Sequence, residues 1–205
     1  MFSMFIDVFL ASFFIMVGVH YTGVTLGLKG RDGESRIHYG SAGSTTWIVR
    51  WIFNTFRLLI LCFLVCRLFW PSIDQILVPF ALPFELWLRG AGVLLMVLSF
   101  YFISYTHAYM GDQWKSGLSS AGFQLLEHGP YQRCRHPIFA SVMLGMIGLT
   151  LALPSAFTAV CLLVGILALT RQASEEERRL QLFAVYEAYA LRTPKWPWNS
   201  ALVLK

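Results

Sequence analysis

The sequence predicts an all-α fold: a helical bundle integral to a membrane, with about five transmembrane helices and a C-terminal amphipathic helix on the cytoplasmic side. Three observations predict it. Of 205 residues, 57% are apolar and only 13% charged, whereas a water-soluble globule carries roughly a quarter charged. The mean hydropathy is +0.60. Apolar runs long enough to cross a bilayer alternate with polar stretches along the whole chain. This composition excludes most soluble enzyme folds, secreted disulfide scaffolds and nucleic-acid-binding modules.

Met1 to Leu28 holds a single charge, Asp7, and has neither the basic start nor the small-residue cleavage site of a signal peptide. It is expected to remain as the first span. Lys29 to Thr46, rich in Gly, Ser and charge, reads as a surface loop. The second span falls between Ile48 and Trp70, with Arg50, Arg57 and Arg67 either snorkelling to the interface or facing the bundle. Pro71 to Leu88 is a short connection containing Pro71, Pro79 and Pro83. Gly90 to Thr106 runs 17 residues without a charge and forms the third span. A polar stretch follows, His107 to His136.

Pro137 to Thr170 is the longest uncharged run, 34 residues. As one helix it would be about 51 Å long, too long for one crossing of a core of about 30 Å. Pro154, near its middle, removes a helix hydrogen bond and collides with the preceding turn, so the run is read as a hairpin of two spans. Beyond it, Leu182, Tyr186 and Tyr189 recur at spacings of four and three, the pattern of an amphipathic helix over 171 to 191.

The net charge of +5 comes from 16 Lys and Arg against 11 Asp and Glu. In a membrane protein such cations mark cytoplasmic loops and lipid head groups more than a phosphate-binding site. All but Arg67 and Arg89 fall in segments 29 to 57, 107 to 136 and 171 to 205. That bias places the N-terminus outside and the C-terminus in the cytoplasm, so the polar stretch and the C-terminal helix face one compartment. The chain divides into 1 to 106, three spans shaping substrate access, and 107 to 205, a cofactor-binding catalytic region. Cys62, Cys66, Cys134 and Cys161 show no metal-ligand spacing and read as small buried hydrophobes. Tryptophans 47, 51, 70, 196 and 198 sit near span ends, as aromatic-belt residues do. Gly145 and Gly148 permit close helix packing or the approach of a cofactor.

Two clusters can carry chemistry. Arg133, Arg135 and His136 precede Pro137, which suits the first turn of a helix. They therefore stand at a positive helix end that attracts carboxylate or phosphate; anchoring to lipid head groups is the alternative. Glu175, Glu176 and Glu177 follow Arg171, which can meet Glu175 on one helix face; a solvated helix start is the alternative there. Both clusters flank the same hairpin. Cations at one end of a site and carboxylates at the other match a zwitterionic cofactor with a carboxylate, an ammonium and ribose hydroxyls.

The ordered series Leu125-Leu126, Gly129-Pro130-Tyr131, Arg135-His136-Pro137, the apolar hairpin, Glu176-Glu177 to Leu180, then Phe183, Tyr186, Tyr189 and prolines resembles the membrane methyltransferases typified by isoprenylcysteine carboxyl methyltransferase, with phospholipid N-methyltransferases as relatives. The resemblance covers roughly Trp114 to Trp198. It implies an enzyme that binds S-adenosylmethionine and methylates a lipophilic or lipidated acceptor drawn from the membrane, an isoprenylcysteine-type carboxylate first. Alternatives are a phospholipid amine or a thiol as acceptor, an NADPH-dependent reductase of the sterol-reductase type, and a non-catalytic scaffold.

Carried over by position, the cofactor would be lined by Phe123, Gln124, Leu125, Leu126, Tyr131, Arg135, His136, Pro137, Ile138, Phe139, Glu175 and Glu176. Arg171 would hold the acceptor's carboxylate, with Glu176 as its catalytic neighbour. Phe139 stands where a tyrosine is usual and Ser141 where glycine is common. Spacing from Arg171 selects Glu175 and Glu176; spacing to Leu180 selects Glu176 and Glu177 and leaves Gln172 in the arginine's place. Glu176 belongs to both registers.

Overall fold

The computed structural model describes residues 2–32, 40–111 and 125–202. Its helices are α1 (Phe2–Asp32), α2 (Thr45–Phe69), the short α3 (Asp74–Leu77), α4 (Glu85–Met110), α5 (Pro137–Ala152), α6 (Ala156–Leu180) and α7 (Ala184–Arg192). Among the described residues there is no strand, only an isolated antiparallel bridge between Pro79 and Ser155. Four helices are long and apolar enough to cross a membrane: α1, within Met4–Val24, and α2, α4 and α6. The remaining expected span is α5, which at 16 residues reaches only about 24 Å.

Local chemistry fixes the helix ends. Ser44 caps α2 by accepting from the Trp47 amide at 3.3 Å, and Pro71 follows its last turn. Pro137 starts α5, where its missing amide costs nothing. Ser155 and Thr158 form a reciprocal capping box on α6, which with Pro154 turns the hairpin.

Three sequence expectations change. Helix α1 continues to Asp32, so Lys29–Asp32 is helical and not loop. The segment 171 to 191 is not one amphipathic helix: Arg171–Leu180 continues α6 without a break, and α7 begins afresh at Ala184 after an extended Phe183. Nothing between Leu180 and Ala184 is a helix breaker by sequence; the packing of α7 against the Gly129–Arg135 segment sets the bend, as described below. Cys134 and Cys161 are buried, but Cys62 is exposed, on a helix long and apolar enough to cross a membrane.

The bundle is built with its apolar side chains outward as well as inward. Leu94, Leu163 and Leu167 are each more than half exposed, an arrangement costly in water and natural in hydrocarbon. Inside, Leu10, Leu64, Leu77, Met96, Leu149 and Ala152 form the main core. The closest helix pair is α4 with α5. A Cβ on Gly148 would lie 2.7 Å from the Gly92 carbonyl oxygen and 2.9 Å from the Met96 amide, so glycine is what lets these two backbones touch.

Successive long helices run in alternate directions, so the N-terminal ends of α1, α4 and α6 gather with the C-terminal ends of α2 and α5. At that end Arg67 pairs with Asp7 at 3.0 Å and with Asp74, and Arg89 reaches Asp7 at 3.4 Å and the Ala152 carbonyl at 3.1 Å. The other end holds the site.

Candidate active site

The site begins with a turn. Gly129 takes φ +59, a left-handed conformation that suits glycine, and a Cβ there would strike the Tyr109 ring 2.6 Å away. The Gly129–Gln132 turn leads into an irregular stretch that presents Arg133, Arg135 and His136 ahead of α5. Arg135 is the anchor. Its backbone amide donates to the Pro194 carbonyl at 2.9 Å, and its guanidinium donates to the carbonyls of Ala190 at 2.9 Å and Thr193 at 2.6 Å. Tyr189 completes the clasp, its hydroxyl donating to the Tyr131 carbonyl at 2.7 Å. The C-terminal strap is thereby tied to the start of α5, which is why α7 bends away from α6.

Around this anchor the basic and acidic clusters meet. Arg135 Nε lies 2.8 Å from Glu177 Oε1, His136 Nε2 3.2 Å from the same oxygen, and Lys195 Nζ 3.1 Å from Glu177 Oε2. His136 Nδ1 lies 3.8 Å from Glu176 Oε2. Glu176 Oε1 accepts from Gln172 Nε2 at 2.9 Å, and the same nitrogen reaches Thr46 Oγ1 of α2 at 3.3 Å. The imidazole of His136 stacks on Phe139, with ring centroids 5.4 Å apart, and packs against Trp196 at 5.7 Å. Such contacts fix the ring's orientation between the two carboxylates.

Of these groups, Thr46, Arg135, His136, Phe139, Gln172 and Glu176 border one cavity of about 860 Å³, large enough for a cofactor and part of an acceptor. Leu125, Leu126, Tyr131, Arg135, His136, Pro137, Ile138, Phe139 and Glu176 all line it. Phe123 and Gln124 lie outside the described residues. Arg171 is exposed and Glu175 also stands outside the lining; Glu175 is held instead by Arg178 at 2.9 Å and Arg179 at 3.3 Å. Gln172, which the spacing to Leu180 puts in the position expected for an arginine, is buried and lines the cavity.

The cavity continues between the helices. Its far wall is apolar, with Phe13, Phe14 and Val17 of α1 and Ile60 of α2. His107 of α4 also lines it and hydrogen-bonds through Nδ1 to His20 Nε2 of α1 at 3.3 Å. Sequence reasoning placed one contributor elsewhere. Trp196 is buried against His136 and does not sit in an aromatic belt; the bracketing Pro194 and Pro197, the second of which opens a 3-10 turn, were the available signal. Arg50 and Arg57 face the cavity, one of the two placements expected for them, and they recur with Thr46 and Asn54 along one face of α2.

Burial raises the phenols of Tyr131, Tyr186 and Tyr189 above their usual range, with neighbouring acidic groups adding to the effect. They stay protonated and can donate. Burial likewise pushes the Cys134 thiol up to about 11, so it is no nucleophile at neutral pH.

A cationic cofactor with an ammonium and ribose hydroxyls needs acceptors and aromatic faces. Glu176 supplies a carboxylate, and Gln172 Oε1 is buried without a hydrogen-bond partner among the described residues. Tyr131, Phe139, Tyr186 and Tyr189 offer ring faces, which attract a sulfonium as they attract other cations. The residues present fit S-adenosylmethionine.

No curated protein and no solved structure matches the chain. Residues 84–187, just over half of it, match the phospholipid methyltransferase family. That segment runs from the start of α4 to the first turn of α7 and contains Tyr131, Arg135, His136, Glu176 and Glu177. This helical membrane protein belongs to the phospholipid methyltransferase family.

Proposed function

We propose that the protein transfers a methyl group from S-adenosylmethionine to a membrane-embedded lipophilic acceptor, in a site facing the cytoplasm with the N-terminus outside. The observation that carries this reading is the single cavity that joins Glu176 and His136 to an apolar chamber between α1, α2 and α4. When bound, S-adenosylmethionine supplies an electrophilic methyl on its sulfonium. The protein's part is to hold that sulfur in line with the acceptor and to keep water out. Tyr131, His136, Pro137, Ile138 and Phe139 form the cofactor's walls, and Glu176 and Gln172 accept from its donors. Residues 1 to 106 shape the path of the acceptor and residues 107 to 205 hold the cofactor.

The family match favours a phospholipid amine as acceptor. An ammonium head group must lose a proton before its nitrogen can attack, and the Glu176 carboxylate, 3.8 Å from His136 Nδ1, gives that proton a place to go. A second reading, O-methylation of an isoprenylcysteine-type carboxylate, is favoured by the arginines that line the cavity on α2. A carboxylate is already ionised at neutral pH, with a reference pKa of about 3.5, and needs no base. The family assignment favours methyl transfer over the NADPH reductase and scaffold alternatives.

The test is incubation of purified protein with methyl-labelled cofactor and a membrane lipid extract, followed by identification of the labelled product. Glu176→Gln and His136→Ala are each expected to weaken cofactor binding at least tenfold while the protein stays folded in detergent. Wild-type affinity in both variants would remove the site assignment.

A further inference from the structure

A charged side chain in the middle of a membrane helix is retained where it faces protein, water or a ligand. Arg57 is the thirteenth of the 25 residues of α2, which puts its Cα roughly 18 Å from either end at 1.5 Å per residue. That is farther than an arginine side chain reaches. Arg57 lines the cavity, and so do Thr46, Arg50 and Asn54, one helical face at spacings of four, four and three. Arg57 Nη2 donates to Asn54 Oδ1 at 3.3 Å, which leaves the amide nitrogen of Asn54 to donate elsewhere. Among the described lining residues there are three arginines and one carboxylate, Glu176. Arg135 is committed to Glu177 and to backbone carbonyls, and Glu176 is engaged by Gln172. The membrane side of the cavity therefore carries Arg50 and Arg57 beside an apolar wall, on a helix that precedes the family-matched segment.

Guanidinium groups take the oxygens of carboxylates and phosphates in pairs. The structure assigns Arg50, Asn54 and Arg57 of α2 to the oxyanion of the methyl acceptor, a carboxylate or phosphodiester carried on a lipophilic tail. The word acceptor rests on the methyl-transfer reading; the anion site rests on the helix face and the cavity. Binding there places the polar head of an amphiphile on the exposed Asn54–Arg57 edge of the cavity and its tail along Phe13, Phe14 and Ile60, so the stripe selects acidic amphiphiles over neutral ones.

The test titrates full-length protein in an uncharged maltoside detergent with dodecyl phosphate, dodecanoate and dodecanol, following tryptophan fluorescence. Wild-type protein is expected to bind at least one anion tenfold or more tightly than dodecanol, and the tighter anion identifies phosphate or carboxylate as the natural group. Arg57→Gln is expected to lose about tenfold of that preference, and Arg57→Lys to recover part of it. Equal binding of all three amphiphiles by the wild type overturns the inference without recourse to any variant. So does an Arg57→Gln protein that keeps the wild-type preference. The wild type is titrated with S-adenosylmethionine in parallel: cofactor binding without anion preference removes only the oxyanion site, whereas anion preference without cofactor binding removes the methyl-transfer reading and leaves the oxyanion site standing.

Discussion

The bundle carries a network of charges at each end, and the two are built differently. At one end Asp7, Arg67, Asp74 and Arg89 join α1, α2, α3 and α4, with both arginines largely buried and none of the four on the cavity. At the other, Arg135, Glu177 and Lys195 hold the strap after α7 against the start of α5, and their neighbours His136 and Glu176 open onto the cavity. The first network is closed: its acids and bases face one another and the Ala152 carbonyl. The second is closed on one side only, because Glu176, which shares His136 with Glu177, opens onto the cavity. A buried ion pair does not by itself indicate function; a carboxylate facing a chamber, with a histidine fixed beside it, is the arrangement on which the proposed site rests.

Substitutions that separate stability from binding can break or sharpen this contrast. Glu177→Gln should have the largest effect, since it leaves Arg135, His136 and Lys195 without their shared carboxylate; a loss of about 3–5 kcal/mol in thermal unfolding is expected, together with weaker S-adenosylmethionine binding by calorimetry. Intact cofactor affinity in that variant would erase the distinction between the two ends. Asp7→Asn should cost about 2 kcal/mol, the range for hydrogen bonds to charged groups, and should leave cofactor affinity within twofold. Gly148→Ala should cost a similar or slightly smaller amount, about 1–3 kcal/mol, because the new methyl meets backbone on α4 and not a side chain that can move. Lys195→Met should be the mildest, about 0.5–1 kcal/mol in the same melts, as Glu177 keeps Arg135 and His136.

Much of this architecture is legible in the sequence. The turn at Pro154 follows from a run too long for one crossing, and Ser155 with Thr158 supplies the cap that starts α6. Flanking that hairpin brings the Arg135–His136 segment and the glutamates to the same end, since two crossings return the chain to its starting side. Other features give no such signal. The bend between Leu180 and Ala184 contains neither glycine nor proline and arises from the clasp of Arg135 on the Ala190 and Thr193 carbonyls. Trp196 resembles any interfacial tryptophan until His136 is seen beside it.

The three adjacent glutamates mark the boundary between what composition dictates and what packing decides. Apolar runs and their interruptions determine by themselves that the chain is a bundle of membrane helices, because a bilayer leaves a buried backbone few ways to satisfy its hydrogen bonds. They also determine that acidic residues gather at the end of α6. Consecutive helical residues point about 100° apart, so Glu175, Glu176 and Glu177 face three directions: toward Arg178 and Arg179, into the cavity, and onto Arg135 and Lys195. Which direction holds the chamber depends on where α2, α5 and the strap lie around α6, and only the folded arrangement of distant segments supplies that.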